Sequence, residues 1–206
     1  MSLNQLTFAF HSMLPKIILS PQRKIAEVAA RDLGLYETSR NRAPGIAKFW
    51  TATSYKEGLK DRQPWCAAGV CYWVQTADHE TEDFNLTIPP TSASVAEILE
   101  WAQDPKNGCV VFTPKDFDKK GYYPQEGDLV IYLPNLSHIG VIAKDYAWDG
   151  FIKATEGNTN MEGSREGDGV YTKQRRANFA GFYVRLPAKQ VVKSSAKKQT
   201  VQQPKE

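Results

Sequence analysis

The sequence predicts an α+β fold in which N-terminal helices pack on a C-terminal antiparallel β-sheet. Segments with helical spacing of apolar residues come first, and from Cys109 onward six short segments rich in Val, Ile, Tyr and Phe follow. Helices followed by strands, without regular alternation, are typical of the α+β class. The 206 residues are enough for one domain with a sizeable core, and a second full domain is not expected.

Two helices are expected before residue 51. The first runs from Pro21 to about Leu35, because apolar residues recur there on one face at helical spacing. These apolar residues are Ile25, Val28, Ala29 and Leu33. A shorter helix is expected after Pro44, with Ile46, Phe49 and Trp50 facing inward.

Two further helices complete the N-terminal part. After a loop over 54–63, Pro64 stands where a first helical residue is expected, since its missing N–H has no partner at that position anyway. This helix continues to about Ala77, and a polar loop follows to residue 91. Ser94 and Glu97 then have the spacing of a capping box ahead of an apolar helical stretch.

Six strands are expected in the C-terminal part, separated by Gly, Asn, Asp and Pro. Their predicted bounds are Cys109–Thr113, Asp128–Leu133, His138–Lys144, Phe151–Thr155, Val170–Gln174 and Gly181–Leu186. The chain thus divides into an N-terminal extension (1–20), a folded domain (21–187) and a Lys-rich tail (188–206) whose composition predicts disorder.

The net charge of +3 belongs to the tail. The tail holds five lysines and one acid, which leaves 21 basic and 22 acidic residues in the rest of the chain. A nucleic-acid partner is not expected, because the folded part has no basic excess. No membrane span is expected either, since no apolar run is long enough to cross a bilayer.

The N-terminal apolar runs, 6–10 and 17–19, are short and separated by Pro15, which makes a poor signal peptide. The expectation is a protein made in the cytoplasm that needs delivery or release to act outside it.

Cys66 is the candidate nucleophile among the three cysteines, Cys66, Cys71 and Cys109. An odd number of cysteines without a Cys-x-x-Cys pair favours neither a disulfide scaffold nor a structural zinc site. Cys66 follows Pro64 by two residues, so it falls in the first turn of its helix, where the helix dipole favours a thiolate. Cys71 and Cys109 have apolar neighbours typical of core positions, and buried small hydrophobes are the usual role of helical cysteines.

His138 is the candidate base. His11 lies in the N-terminal extension and His79 in an acidic loop, whereas His138 begins an alternating apolar strand beside Gly140, which leaves room next to the ring. A histidine that merely ends a strand remains an alternative at this point.

A base histidine needs a polar partner on its second nitrogen. The end of the following strand offers Glu156 and Asn158, and an ordinary turn is the alternative for this Gly- and Asn-containing stretch. Asp128 is expected to stabilise a turn. No metal or other cofactor is predicted, because the loop that carries Glu57 and Asp61 has no Asp-x-Asp-x-Asp run.

Four motifs in order resemble the CHAP family, the cysteine- and histidine-dependent amidohydrolases and peptidases of the NlpC/P60, papain-like superfamily. The motifs are Pro-Trp-Cys-Ala-Ala at 64–68, Gly-Asp-Leu-Val-Ile-Tyr at 127–132, Ser-His-Ile-Gly-Val-Ile at 137–142 and Thr-Glu-Gly-Asn-Thr-Asn at 155–160. The resemblance extends from Ile25 to Leu186. It implies a papain-like fold in which a helix that carries the cysteine packs on a sheet that carries the histidine.

The resemblance also assigns roles. It implies that Cys66 is the nucleophile, His138 the base, Glu156 the residue that orients the histidine and Asn158 a supporting polar residue. Substrate binding is expected at Gln63 and Trp65. Gln63 and the backbone N–H of Cys66 are placed where an oxyanion hole forms.

The activity implied is peptidoglycan hydrolysis, as an N-acetylmuramoyl-L-alanine amidase or as an endopeptidase of the stem peptide or cross-bridge. The expected partners are peptidoglycan or its peptide fragments, together with a cognate inhibitor or a delivery system. The alternatives are an amidase of the same fold that acts on an amide outside the wall, and an inactive wall- or protein-binding module. The chain departs from the family pattern in having no recognisable wall-binding domain and no calcium loop.

Overall fold

The computed structural model describes residues 21–81, 90–132, 135, 137–162 and 167–188. The predicted N-terminal extension and the tail beyond Ala188 lie outside the described residues. The helices are α1 (Pro21–Ala30), α2 (Ala47–Trp50), α3 (Cys66–Glu80), α4 (Val95–Gln103) and α5 (Phe117–Lys120). The strands are β1 (Val110–Phe112), β2 (Leu129–Tyr132), β3 (His138–Ile142), β4 (Phe151–Thr159), β5 (Gly169–Arg176) and β6 (Ala180–Arg185).

The strands form one sheet in the order β1-β6-β2-β3-β4-β5, with every neighbouring pair antiparallel. Strands β2 to β5 follow one another as a meander, and β6 returns to the other side of β2. The predicted α+β class and all six strands are confirmed. Strand β4 continues past its predicted end at Thr155, which places Glu156 inside the sheet.

Helix α1 ends five residues before its predicted end. After Ala30 the backbone tightens into i→i−3 hydrogen bonds, and Gly34 adopts a left-handed φ of 82°. The N–H of Gly34 then donates to the carbonyl of Val170 in β5, which turns the chain onto the sheet. Leu33 is consequently exposed and does not share the buried face of Ile25, Val28 and Ala29, where its spacing had placed it.

Helix α3 begins at Cys66, with Trp65 as its N-cap residue, so the prediction of Pro64 as the first helical residue is wrong by two positions. The backbone of Trp65 is not helical (φ −117°, ψ 12°). Its indole packs against Phe49 of α2 and Gly157 of β4. Cys66 nevertheless lies in the first turn, as the sequence predicted.

Helix α4 begins as predicted but with half of a capping box. The Ser94 hydroxyl accepts a hydrogen bond from the N–H of Glu97 at 3.4 Å. The Glu97 carboxylate does not complete the box; it accepts from the Ser92 hydroxyl at 2.5 Å, and that hydroxyl accepts from the N–H of Ser94 at 2.9 Å. Ser92 therefore takes the place that the Glu97 side chain has in a full box.

Apolar side chains cover both faces of the sheet. Ile139 and Val141 belong to the cluster shared with the helices, and Val130 and Ile142 to a second cluster on the opposite face. Every residue of β2 and β3 is buried as a result. His138 therefore begins a strand that is held rigidly from both sides. Among the described residues, no helix is both long enough and apolar enough to span a membrane.

Candidate active site

Cys66 is the first residue of α3, and its side chain reaches the start of β3. Its sulfur lies 4.0 Å from the carbonyl oxygen of Ser137, the residue before His138. The small residues after it, Ala67, Ala68 and Gly69, are buried and let α3 pack closely on the sheet. The sulfur thus lies at the positive end of the helix dipole, where an anion is favoured.

His138 connects Cys66 with Glu156. Its Nε2 lies 2.8 Å from Oε2 of Glu156, so Nδ1 is the nitrogen that remains for the thiol. Nδ1 is buried and makes no geometrically complete hydrogen bond among the described residues. Catalytic hydrogen bonds are often incomplete before substrate binds.

The charged state of His138 is favoured by its neighbours. Burial lowers the pKa of the imidazole, but interactions with Cys66 and Glu156 outweigh burial and raise the pKa to about 9. An imidazolium is therefore favoured next to the sulfur of Cys66.

Glu156 reaches His138 because Gly140 stands between them. Gly140 of β3 pairs with Glu156 of β4, and a Cβ on Gly140 would lie 2.8 Å from Cγ of Glu156. The missing side chain lets the glutamate lie across the neighbouring strand toward the imidazole. The sequence left Glu156 and Asn158 open as partners of His138, and the observed hydrogen bond is with Glu156.

Arg175 is the site residue that the sequence did not indicate. Its Nε donates to Oε1 of Glu156 at 2.7 Å, and one terminal nitrogen donates to Oε2 at 2.6 Å. Burial raises the pKa of Glu156, but the hydrogen bonds with Arg175 and His138 bring it down to about 2. The predicted strand ended at Gln174, one residue short of Arg175. In the sheet Arg175 pairs with Ile152 and Glu156 with Tyr171, so only the reach of the two side chains brings Arg175 to Glu156.

Asn158 is fully buried at an irregularity in β4. Its φ of 56° is left-handed, a conformation that asparagine tolerates better than most residues, and its carbonyl accepts from the N–H of Gly167 at 3.0 Å. Its predicted support of His138 stays a prediction.

Trp65 does not face the cleft, and its predicted substrate contact is wrong. The side chain is fully buried, stacks on Phe49 at 5.2 Å between ring centroids, and donates through Nε1 to Glu37 at 2.8 Å. It also rests on Gly157 of β4, where a Cβ would lie 2.6 Å from the indole. The buried indole therefore fixes the position of Trp65, the residue immediately before Cys66.

The cleft that contains Cys66 has a volume of about 340 Å³. Its walls come from the loop before α3 (Tyr55, Gln63, Pro64), the start of α4 (Ser94–Ala96), and Asn135 and Ser137. Gln63 therefore lines the same cleft as Cys66, where it was expected to bind substrate. A larger cavity of about 540 Å³, lined by residues such as Glu37 and Asp168, includes neither Cys66 nor His138. The smaller cleft is lined by Cys66, although not by His138, and we place the site there.

Comparison with known proteins adds no relative. No model of a known protein family matches the chain, and no curated protein matches its sequence.

Gly157→Ala is expected to destabilise the fold and slow the reaction together. The new Cβ would press on Trp65, and overpacking of a filled core costs about 1–3 kcal/mol. Because Trp65 precedes Cys66, the nucleophile would shift as well. Thermal unfolding and turnover, measured side by side, check this. Gly69→Ala is the matched control, because its Cβ meets nothing closer than 3.7 Å; if both variants behave like the wild type, the Trp65 contact does not position Cys66.

Proposed function

We propose that this protein is a papain-like cysteine amidohydrolase of the CHAP type that cuts an amide bond in peptidoglycan. One observation carries the proposal: Cys66 at a helix start, His138 at a strand start and a buried Glu156 carboxylate lie side by side in that order, next to a cleft that Cys66 lines. A nucleophile, a base and a residue that orients the base are the parts of a cysteine hydrolase. The resemblance of the four motifs to the CHAP family supplies the substrate class.

In the proposed reaction the Cys66 thiolate attacks the amide carbonyl, and the electron pair moves onto the carbonyl oxygen. The N–H of Cys66 and the side chain of Gln63 stabilise that oxyanion. When the intermediate collapses, the C–N bond breaks and imidazolium His138 gives its proton to the leaving amine. His138 then deprotonates a water that attacks the thioester, which releases the acid and regenerates Cys66. No cofactor takes part in these steps.

The proposed site of action is the cell wall or periplasm, reached by delivery or release from the cytoplasm where the chain is made. A delivery system, or an inhibitor that protects the producing cell, fits that route.

Incubation with purified peptidoglycan sacculi, followed by mass spectrometry of the released fragments, tests the function. Separation of whole stem peptides from N-acetylmuramic acid indicates an amidase, and shortened or uncrosslinked stems indicate an endopeptidase. Sacculi that release nothing, together with turnover of other amides, would move the activity to the same-fold alternative. If no amide is cut and Cys66 reacts with a thiol-directed electrophile no faster than Cys71 or Cys109, the chain is a binding module instead.

The rate of hydrolysis is expected to fall as pH rises through about 9. The raised pKa of His138 keeps the imidazolium protonated below that value, and above it the acid that protonates the leaving amine is lost. Glu156, with its pKa of about 2, stays ionised over the whole pH range measured and therefore adds no further rise or fall to the pH profile. A profile of kcat/KM against pH from 5 to 11 checks this. A plateau that continues unchanged beyond pH 10 would mean that proton donation by His138 does not limit the rate.

A further inference from the structure

We propose that Arg175 is a positioning residue that holds Glu156 ionised and aimed at His138, so that the imidazole presents Nδ1 to Cys66. This role rests on the proposed hydrolase function and extends the site to a fourth residue on a fourth element, β5. Beyond Cys66 the row alternates in charge, from the His138 imidazolium to the Glu156 carboxylate and the Arg175 guanidinium.

The first argument is the burial of Glu156. Its side chain has no exposed surface, and an isolated buried carboxylate is strongly disfavoured in its ionised form. His138 reaches only Oε2, whereas Arg175 bonds both oxygens. The guanidinium thus provides the second charge partner that keeps the group anionic.

The second argument is geometry. Two parallel N–H bonds from a planar guanidinium fix the plane of a carboxylate, which a single hydrogen bond does not do. Since Oε2 accepts from both Arg175 and His138, the plane set by Arg175 also sets the direction from which His138 is held. A free rotation of Glu156 would let the imidazole turn away from the sulfur.

The third argument is that Arg175 is itself held in place. Its guanidinium carbon lies 4.9 Å from the ring centroid of Tyr132 and 5.8 Å from that of Phe179. The same Tyr132 ring stacks on His138, with centroids 5.7 Å apart and planes inclined by 21°. Tyr132 therefore packs against both the base and the arginine, and fixes their separation.

Few titratable groups face His138: Cys66 from α3, Tyr132 from β2 and Glu156 from β4, with Arg175 of β5 behind Glu156. Burial raises the pKa of Tyr132 well above its usual value of 10, so it stays neutral in the working range. Loss of the Arg175 cation would by itself raise the His138 midpoint, so a fall in that midpoint after mutation of Arg175 reports on Glu156.

The fold supplies a matched control in Arg185. It binds the fully buried Asp128 with the same fork, through bonds of 2.9 and 2.7 Å, but that pair serves the turn before β2. Loss of Arg185 removes a second arginine–carboxylate pair of the same geometry without touching the row of catalytic residues. The two pairs differ in that burial raises the pKa of Asp128, whereas the pKa of Glu156 is lowered.

The test compares Arg175→Met, Arg175→Lys and Arg185→Met by two readouts: NMR titration of the His138 imidazole, and the profile of kcat and KM against pH. For Arg175→Met we expect the His138 midpoint to fall by about one pH unit or more, a tenfold change or greater in proton affinity. We also expect kcat to fall about 10- to 100-fold, with KM within about threefold. Arg175→Lys keeps the positive charge but cannot make two parallel hydrogen bonds to the carboxylate. Its His138 midpoint should therefore lie close to the wild-type value, whereas its kcat should be only partly retained.

The proposal is overturned if folded Arg175→Met leaves the His138 midpoint and the alkaline limb where they are in the wild type. It is equally overturned if Arg185→Met shifts them as far, because the effect would then be general destabilisation. If Arg175→Met does not fold, Arg175→Lys is the deciding variant. A kcat of Arg175→Lys equal to that of the wild type would contradict the need for two parallel hydrogen bonds from residue 175 to Glu156. The NMR titration needs no substrate and therefore tests the role of Arg175 independently of activity. A wild-type protein that releases nothing from peptidoglycan would refute the proposed hydrolase function without deciding the role of Arg175.

Discussion

Cys66→Ala is expected to abolish amide hydrolysis and to leave the fold nearly intact. Without the sulfur there is no nucleophile for the acyl-enzyme, so the initial rate of fragment release from sacculi should fall at least about 1,000-fold. The residue is small and its neighbours are small, so thermal unfolding should change by only a few degrees. Parallel measurement of fragment release and of the unfolding temperature checks both halves of the expectation.

Cys109→Ala is the control for this variant, since Cys109 lies half-buried beside β1, away from the cleft. It should keep the wild-type rate. Alkylation gives a second check, because burial raises the pKa of both Cys71 and Cys109 to about 12 and keeps them as slow-reacting thiols. A Cys66→Ala protein that still cleaves at the wild-type rate would remove Cys66 from the mechanism.

The sequence predicted the class of fold because local periodicity is enough to separate helices from strands. The sequence could not predict the strand order. Strands β1 and β6 pair although they lie more than 70 residues apart, and no local pattern encodes their register. The end of α1 was missed for a related reason. The turn that closes the helix depends on the hydrogen bond from Gly34 to Val170, a contact far along the chain.

The candidate site could be predicted where a residue has a distinctive neighbourhood in the sequence. Cys66, His138 and Glu156 each belong to a motif, and the structure brings the three together. Trp65 belongs to the same motif as Cys66, yet a motif does not tell whether an aromatic faces the cleft or the core, and the indole is buried. Arg175 belongs to no motif. It pairs with Ile152 in the sheet, so its contact with Glu156 depends on how the two side chains extend over the sheet, which no local pattern encodes.

Glu156→Gln is expected to cost less activity than Cys66→Ala but more stability. Glutamine keeps the size of the side chain and one hydrogen-bonding oxygen, but it removes the charge that faces both His138 and Arg175. The rate should fall about 100- to 1,000-fold, because the imidazolium and its orientation lose their support. The guanidinium of Arg175, 15% exposed, is left without its anion, and a broken buried pair costs up to about 3–5 kcal/mol.

The stability loss has a predicted dependence on pH. The pKa of Glu156 is lowered from 4.5 to about 2, so its ionisation stabilises the folded state fully above pH 4.5, and this contribution is lost as pH falls through about 2. Glutamine does not titrate. Urea unfolding should therefore show a deficit for Glu156→Gln that is largest near pH 5 and shrinks toward pH 2. The deficit should also narrow as pH rises from 6.5 through about 9, because Glu156 contributes to the raised pKa of His138 and that stabilisation is lost over this range.

Asp128→Asn is the matched control, because it removes the other buried carboxylate that binds an arginine fork. It should lose stability at neutral pH while its hydrolysis rate stays near that of the wild type. If Glu156→Gln loses as little rate as Asp128→Asn, Glu156 is a structural ion-pair partner and not the residue that orients His138. If folded Glu156→Gln loses as much of the hydrolysis rate as Cys66→Ala, the carboxylate acts in the chemistry itself. The hydrolysis rates of the three variants distinguish these two outcomes.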